Sequence, residues 1–128
     1  MYLLDTNVFL EILLQRSNQR AAKEIFAINP PTDLFMTDFS LHSIGVFLFQ
    51  RNKQAIYECF VTDMILKTEI GVIGLEPEDV DLLGRASKRF GLDFDDAYQY
   101  AVAEKYSLQI VSFDSDFDRT EKGLKIPS

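Results

Sequence analysis

The chain is poor in the residues that build thiolate or imidazole metal sites. Its 128 residues include one cysteine, Cys59, and one histidine, His42. A single cysteine excludes an internal disulfide and a cysteine-based metal centre, and it fits a reducing compartment. His42 lies in an apolar segment, where a packed or surface role is favoured over catalysis.

Long apolar runs and common catalytic signatures are also missing. No run approaches the roughly 20 apolar residues that cross a bilayer. The first five residues show neither a basic leader nor a small-residue cleavage site, so we expect a cytoplasmic protein without a membrane partner. A Gly-rich phosphate loop, an HExxH pair and a Gly-x-Ser-x-Gly elbow are absent, which argues against the commonest nucleotide-binding, zinc-protease and serine-hydrolase sites.

Basic residues are outnumbered. Thirteen Lys and Arg face twenty Asp and Glu, for a net charge of −7. This balance argues against a nucleic-acid partner, because phosphate binding usually rests on basic side chains. Bound divalent cations would reverse the charge of an acidic cleft, and basic residues could gather on one rim. Candidates for that rim, which could equally be scattered solubilising charges, are Arg16, Arg20, Lys23, Arg51, Lys53, Lys88, Arg89, Arg119 and Lys122.

The remaining pattern is that of an ordinary α/β globule. Apolar residues make up 47% and charged residues 26%, and the length suits one domain over residues 1–128. Short apolar runs predict strands at 2–4, 34–37, 70–75 and 108–112. Helical spacing between them predicts helices at about 8–15, 21–26, 39–50, 53–66, 77–90 and 94–106. This alternation predicts a three-layer α/β/α sandwich with a mostly parallel sheet.

Aspartates gather where such a fold binds ligands. In open parallel sheets, ligand-binding side chains lie at the carboxyl ends of strands and the starts of the following helices. Crowded carboxylates raise one another's pKa, and a cation relieves the repulsion. Mg²⁺ prefers oxygen ligands and needs few carboxylates beside a phosphate. The six aspartates that this fold places at one edge are Asp5, Asp38, Asp95, Asp96, Asp114 and Asp116.

Each aspartate also has a plain structural explanation. Asp5 could cap the first helix, and Asp96 could form a capping arrangement with Asp93. Asp114 and Asp116 could be turn formers after the last strand. Convergence of all of them on one edge favours the metal site.

With these residues in view, the sequence resembles a PIN domain, the ribonuclease fold used by toxins of the VapBC type. Three segments carry the resemblance in order along nearly the whole chain. They are the opening Leu-Asp-Thr-Asn at 4–7, the segment Leu-Asp-Phe-Asp-Asp-Ala-Tyr-Gln-Tyr-Ala at 92–101, and Ile-Val-Ser-Phe-Asp-Ser-Asp-Phe at 110–117.

The resemblance implies a metal-dependent nuclease. It maps the metal ligands to Asp5, Asp96 and Asp114, with Asp116 as a further catalytic acid. Ser112 corresponds to the hydroxyl residue that helps to place water or metal. Asn7 corresponds to the asparagine that steadies the first aspartate. The implied reaction is hydrolysis of RNA with Mg²⁺ or Mn²⁺, which would orient and acidify a water molecule.

The resemblance also implies partners, namely a homodimer and an antitoxin chain that occupies a groove near the acids. The helix at 39–50 fits this, since it carries more apolar surface than one buried stripe needs. The alternative is that the rest of the domain covers both sides of this helix.

One position departs from the family pattern. The family normally has a glutamate in the helix after the second strand, and the aligned residue here is Ser43. A hydroxyl supplies no charge, so we expect weaker metal binding and doubt a second metal. Asp38 is a possible compensating acid, and Glu11, one helical turn after Asn7, is a weaker one.

Two other functions compete with the nuclease. The first is a catalytically weakened PIN-like domain that binds RNA or a protein partner. The second is a phosphotransfer domain of the receiver or dehalogenase-like type. Dehalogenase-like phosphatases need a second acid two residues after the first, where this chain has Asn7, and receivers need an aspartate after the third strand, where it has Gly74 and Leu75. The nuclease is therefore preferred.

Overall fold

The structure, a computed structural model, describes residues 1–114, 117 and 120–125, with the backbone alone for residues 124 and 125. Strands and helices alternate through this part of the chain, with short 3₁₀ turns before β2 and α5. The elements are β1 (Tyr2–Leu4), α1 (Thr6–Leu13), α2 (Gln19–Ile28), β2 (Leu34–Thr37), α3 (Asp38–Gln50), α4 (Gln54–Phe60), β3 (Gly71–Ile73), α5 (Val80–Phe90), α6 (Phe94–Tyr106), β4 (Gln109–Ser112) and β5 (Gly123–Lys125).

The strands form one sheet in the order β3-β2-β1-β4-β5, and every neighbouring pair is parallel. β1 lies in the middle. The chain builds outward from it through β2 and β3, then crosses back to place β4 on its other side. The strand order therefore reverses between β1 and β4, and ligands bind such sheets in the crevice at the carboxyl ends of those two strands.

Helices cover both faces of the sheet. Side chains alternate along a strand, so Leu4 and Val111 point toward the layer of α1 to α4, whereas Leu3 and Ile110 point toward α5 and α6. All four residues are at most 5% exposed. The predicted three-layer α/β/α sandwich with a parallel sheet is confirmed.

Several boundaries differ from the prediction. The helix predicted over 53–66 is α4 followed by a π-helical stretch at Val61–Leu66. The strand predicted at 70–75 is only three residues long. β5 was not predicted, because it is short and lacks an apolar run; it pairs with β4 alone, at the sheet edge.

Two helix ends follow their sequence signals. Gly91 ends α5 in the left-handed conformation at φ 64°, which glycine adopts without steric cost. The Asp93 side chain then caps α6 by accepting from the Asp96 backbone N–H over 3.1 Å. In the part of the chain described here, no helix is long and apolar enough to cross a membrane.

Candidate active site

A cleft of about 250 Å³ opens at the carboxyl end of the sheet, where the strand order reverses. Its walls come from the segment after β1, the start of α3, the first turns of α6 and the segment after β4. The lining residues are Asp5, Thr6, Asn7, Leu10, Phe39, Ser43, Asp95, Asp96, Gln99 and Asp114.

Asp5 is held firmly in this cleft. Its backbone N–H donates to the Val111 carbonyl over 3.0 Å, which continues the β1–β4 ladder. Its Oδ1 accepts from the Thr6 N–H and from Gln99 Nε2, both over 2.7 Å, and its Oδ2 accepts from Ser112 Oγ over 2.7 Å. Asp5 thus caps α1, as one alternative proposed, and is also gripped from α6 and β4.

The surroundings of Asp5 disfavour its charge. Burial raises the pKa of the Asp5 carboxyl above its usual value. The hydrogen bonds from Ser112, Thr6 and Gln99 lower the pKa, and the charge of Asp114 raises it further, with a net increase. A cation placed beside Asp5 and Asp114 would reverse this balance and favour the ionised carboxylate.

Asn7 and Ser112 form a small network around Asp5. Asn7 Nδ2 donates to Ser112 Oγ over 3.1 Å, and the Phe113 N–H donates to Asn7 Oδ1 over 3.3 Å. The Asp114 N–H also donates to Ser112 Oγ, over 3.0 Å. Asn7 was expected to steady Asp5 itself. The structure instead routes that support through Ser112, which contacts both side chains.

Three further predicted acids line the cleft, namely Asp95, Asp96 and Asp114. Asp96 is half-buried in the first turn of α6, whereas Asp95 and Asp114 are exposed. Within the described ranges, no three His, Cys, Asp or Glu side chains stand close enough together to form a ready-made metal site. Asp116 lies outside the described residues.

Ser43 does line the cleft, at the wall that α3 contributes. Asp38 does not, so the expectation of a compensating acid there is not supported. Its Oδ1 accepts from the Tyr98 hydroxyl and from the Phe39 N–H, each over 2.8 Å. A Cβ on Gly74 would lie 2.5 Å from either Asp38 oxygen, so the carboxyl group packs directly against the segment after β3.

Glu11 and His42 also lie away from the cleft lining. Glu11 Oε1 accepts from Asn18 Nδ2 over 3.2 Å. His42 is exposed on α3. Neither the weaker compensating acid nor a catalytic histidine is found there.

Gln99 is a site residue to which the sequence analysis assigned no role. It is 3% exposed, and besides its bond to Asp5 its Oε1 is buried without a hydrogen-bond partner among the described residues. The available signal was an amide between apolar residues of α6, three residues after Asp96 and therefore on the same face.

Among the described residues that line this cleft none is Lys or Arg, so the predicted basic rim is not found in this lining. Lys88 and Arg89 instead border a separate cleft of about 500 Å³ with Arg85, Phe90 and Tyr100. Arg16 and Arg51 rest on the Phe47 ring, with 5.8 and 3.5 Å from guanidinium carbon to ring centroid. Arg119 lies outside the described residues.

Solved structures share this fold at low sequence identity. A toxin–antitoxin complex from Klebsiella pneumoniae superposes with a TM-score of 0.77 at 19% identity, covering 98% of this chain and 97% of its own. VapC20 of Mycobacterium tuberculosis, described as a sarcin-ricin loop cleaving toxin, gives 0.76 at 19% identity, with 99% and 100% covered. VapBC2 of Rickettsia felis, bound to promoter DNA, gives 0.71 at 12% identity, with 97% and 96% covered.

No curated protein sequence matches the chain. A family model does match, under the description PIN domain, and its match extends from residue 2 to residue 123. The matched range contains β1 to β4 completely and the first residue of β5. It also contains every described residue that lines the cleft. The chain therefore belongs to the PIN domain family.

Proposed function

We propose that this chain is an endoribonuclease that depends on Mg²⁺ or Mn²⁺ and acts as the toxin of a toxin–antitoxin pair. The observation that carries the proposal is the environment of Asp5. Its carboxyl group is fixed by Gln99 and Ser112, and its pKa is raised mainly by burial and further by the charge of Asp114. A carboxylate in this position is stabilised by a cation.

The side chains of the cleft fit a hard divalent ion in kind. Asp5, Asp96 and Asp114 would hold it, and all three offer the oxygen ligands that Mg²⁺ prefers. The buried Gln99 Oε1 provides a further acceptor without a partner among the described residues.

When bound, the metal supplies an acidified water and neutralises charge on the attacked phosphate. The protein's own residues prepare the site. Gln99 and Ser112 fix both oxygens of Asp5, so that its orientation does not depend on a ligand. Asp114 is positioned by its backbone N–H, which donates to the same Ser112 Oγ. A cleft that presents a pre-oriented first ligand and further carboxylates suits an ion that keeps several waters.

A second candidate function is a weakened PIN domain that binds RNA or a protein without cutting. The observation that favours it is Ser43, a neutral residue on the cleft wall where the family pattern has a glutamate. Among the described residues no three acids are grouped closely enough to hold a metal ion, which points the same way. The two functions differ in whether metal binds and whether RNA is cleaved.

The deciding experiment measures both properties on the same preparations. Mn²⁺ should raise the melting temperature of the wild type. At a free concentration one hundred times its dissociation constant, Mn²⁺ should add about 2.7 kcal/mol to the free energy of unfolding. Asp5→Asn and Asp96→Asn should abolish that shift and the cleavage of RNA together. Glu78→Gln, an exposed acid on the 3₁₀ turn before α5, serves as the matched control. Cleavage by either aspartate variant at the wild-type rate would refute the site.

A partner chain belongs to the same proposal. α3 buries Ile44 and Leu48 but leaves Val46 and Phe49 58% and 50% exposed. Neighbouring structures are toxin–antitoxin complexes, which supports an antitoxin partner here. We also propose a homodimer. Sedimentation of the isolated chain at low concentration tests it, because a persistent monomer excludes the dimer.

A further inference from the structure

Three aromatic side chains form a cluster at the rim of the cleft. Phe39 lies in the first turn of α3, and Phe94 and Tyr98 lie on the first turns of α6. Their ring centroids are 5.7 Å apart for Phe39 and Phe94, 5.6 Å for Phe39 and Tyr98, and 6.0 Å for Phe94 and Tyr98. Phe39 also lines the cleft, and Phe94 directly precedes Asp95. The aromatic cluster is therefore continuous with the acidic cleft.

Within this cluster Tyr98 is held by hydrogen bonds, whereas Phe94 is exposed to solvent. The Tyr98 hydroxyl donates to Asp38 Oδ1 over 2.8 Å and accepts from the Leu75 N–H over 3.0 Å. Phe94 is 56% exposed, although it packs on both other rings. A large ring held in place but left in water offers a ready face for a flat apolar ligand.

The charge of the cleft indicates which ligand that is. The described lining includes Asp5, Asp95, Asp96 and Asp114, and none of its residues is Lys or Arg, so these described side chains supply no basic contact to phosphate. Stacking of a base on an aromatic ring is the other main source of affinity for a single strand, and it does not depend on charge.

We propose that the aromatic cluster of Phe39, Phe94 and Tyr98 stacks one unpaired base next to the phosphate that is cleaved, with Phe94 supplying the open face. This inference rests on the proposed nuclease function and names its substrate-positioning residues. A base that stacks on Phe94 must first leave its own neighbours.

The first test compares Phe94→Ala with Phe94→Trp. The matched control is Tyr106→Ala, which removes an exposed ring from the far end of the same helix. The substrate is a single-stranded RNA of about a dozen nucleotides, labelled with a fluorophore and a quencher, in Mn²⁺. Phe94→Ala should raise KM roughly tenfold with a smaller change in kcat, and Phe94→Trp should restore the wild-type KM. Equal kinetics for Phe94→Ala and Tyr106→Ala would leave the nuclease standing and overturn the stacking.

A second test asks whether the ring and the base act on each other. Once the cleavage position is mapped, RNAs with an abasic nucleotide on either side of it are compared with the intact strand. On the strand that lacks the stacked base, the KM of the wild type should rise about as much as the Phe94→Ala substitution raises it on the intact strand. The KM of Phe94→Ala should not rise further on that abasic strand. Additive effects of the two changes would overturn the proposal. So would a Phe94→Ala variant that sediments differently from the wild type while keeping its dependence on the base, because the ring would then contact a second copy.

Failure of the nuclease is detected separately. If the wild type leaves every RNA intact, binding of an RNA that carries 2-aminopurine is measured by fluorescence. Quenching by the wild type and by Tyr106→Ala but not by Phe94→Ala supports the stacking without catalysis. Equal quenching by all three proteins, or none by any, overturns it.

Discussion

Gln99 Nε2 donates to Asp5 Oδ1 over 2.7 Å, and this bond joins the middle of α6 to the end of the central strand. The two residues are 94 positions apart in sequence. Gln99 lies one turn beyond Asp96 on the same helix, so the residue that orients one proposed metal ligand shares a rigid element with another. The spacing between these two acids is consequently set by the packing of α6 on the sheet.

Replacement of Gln99 by leucine tests this bond. A buried hydrogen bond to a charged group contributes about 1.5–3 kcal/mol, so we expect kcat/KM for RNA to fall roughly ten- to a hundredfold. Stability should change less, because leucine also removes the unpartnered Oε1. Gln54→Leu, at an exposed position of α4, is the control. Wild-type activity in Gln99→Leu would show that Asp5 needs no support from α6.

Replacement of Asp5 by asparagine should stabilise the metal-free protein. Because burial raises the pKa of Asp5, the folded state binds this proton more tightly than the unfolded state, and the ionised form is a cost above the raised pKa. Removing this charge should therefore increase the free energy of unfolding at pH 7 and raise Tm.

The advantage of Asp5→Asn should shrink as pH falls through the raised pKa and vanish below the ordinary value of 3.8. Urea unfolding of both proteins between pH 3 and pH 7, with a chelator present, measures it. An advantage that grows in acid would contradict the raised pKa of Asp5.

Introduction of the family glutamate at Ser43 separates the two candidate functions. Ser43→Glu adds a carboxylate to a cleft that holds Asp5 and Asp96, so Mn²⁺ affinity should increase about tenfold or more, while the metal-free protein loses stability through like-charge repulsion. Ser43→Ala should do neither. Thermal melting against Mn²⁺ concentration provides both quantities. An unchanged Mn²⁺ affinity in Ser43→Glu would favour the weakened domain.

Asp38 should prove to be a structural acid. Tyr98→Phe removes its hydrogen bond and the acceptor of the Leu75 N–H, which should cost about 1–2 kcal/mol of stability. Asp38→Asn keeps an acceptor for Tyr98 and should leave Mn²⁺ affinity and RNA cleavage at wild-type levels. A loss of metal binding in Asp38→Asn, at unchanged stability, would return Asp38 to the site.

The sequence predicts best what depends on local patterns. The end of β1 could be predicted because the apolar run of Leu3 and Leu4 ends at Asp5. The cap of α6 could be predicted because Asp93 directly precedes its first turn. In a parallel sheet these ends must share an edge, so the acids at that edge followed.

The orientation of each side chain at that edge could not be predicted from the sequence. The Asp38 carboxyl group accepts a hydrogen bond from Tyr98, which is 60 residues away in sequence. It also packs against Gly74, which has no side chain to block it. Gln99 was missed for a similar reason, since an amide on a buried helix face has no distinctive pattern until its partner is known. β5 is too short to leave a periodic signal, and its pairing comes from the edge of β4.

The central place of β1 has a consequence for synthesis of the protein. β1 is synthesised before its partner β4, which follows about a hundred residues later; at 5–20 residues per second this is a delay of roughly 5–20 s. Neither Ser112 nor the Val111 carbonyl can hold Asp5 before then. The environment that fixes Asp5 is therefore incomplete until β4 has been synthesised, and a partner that captured the exposed β1 edge in that interval would prevent it from forming.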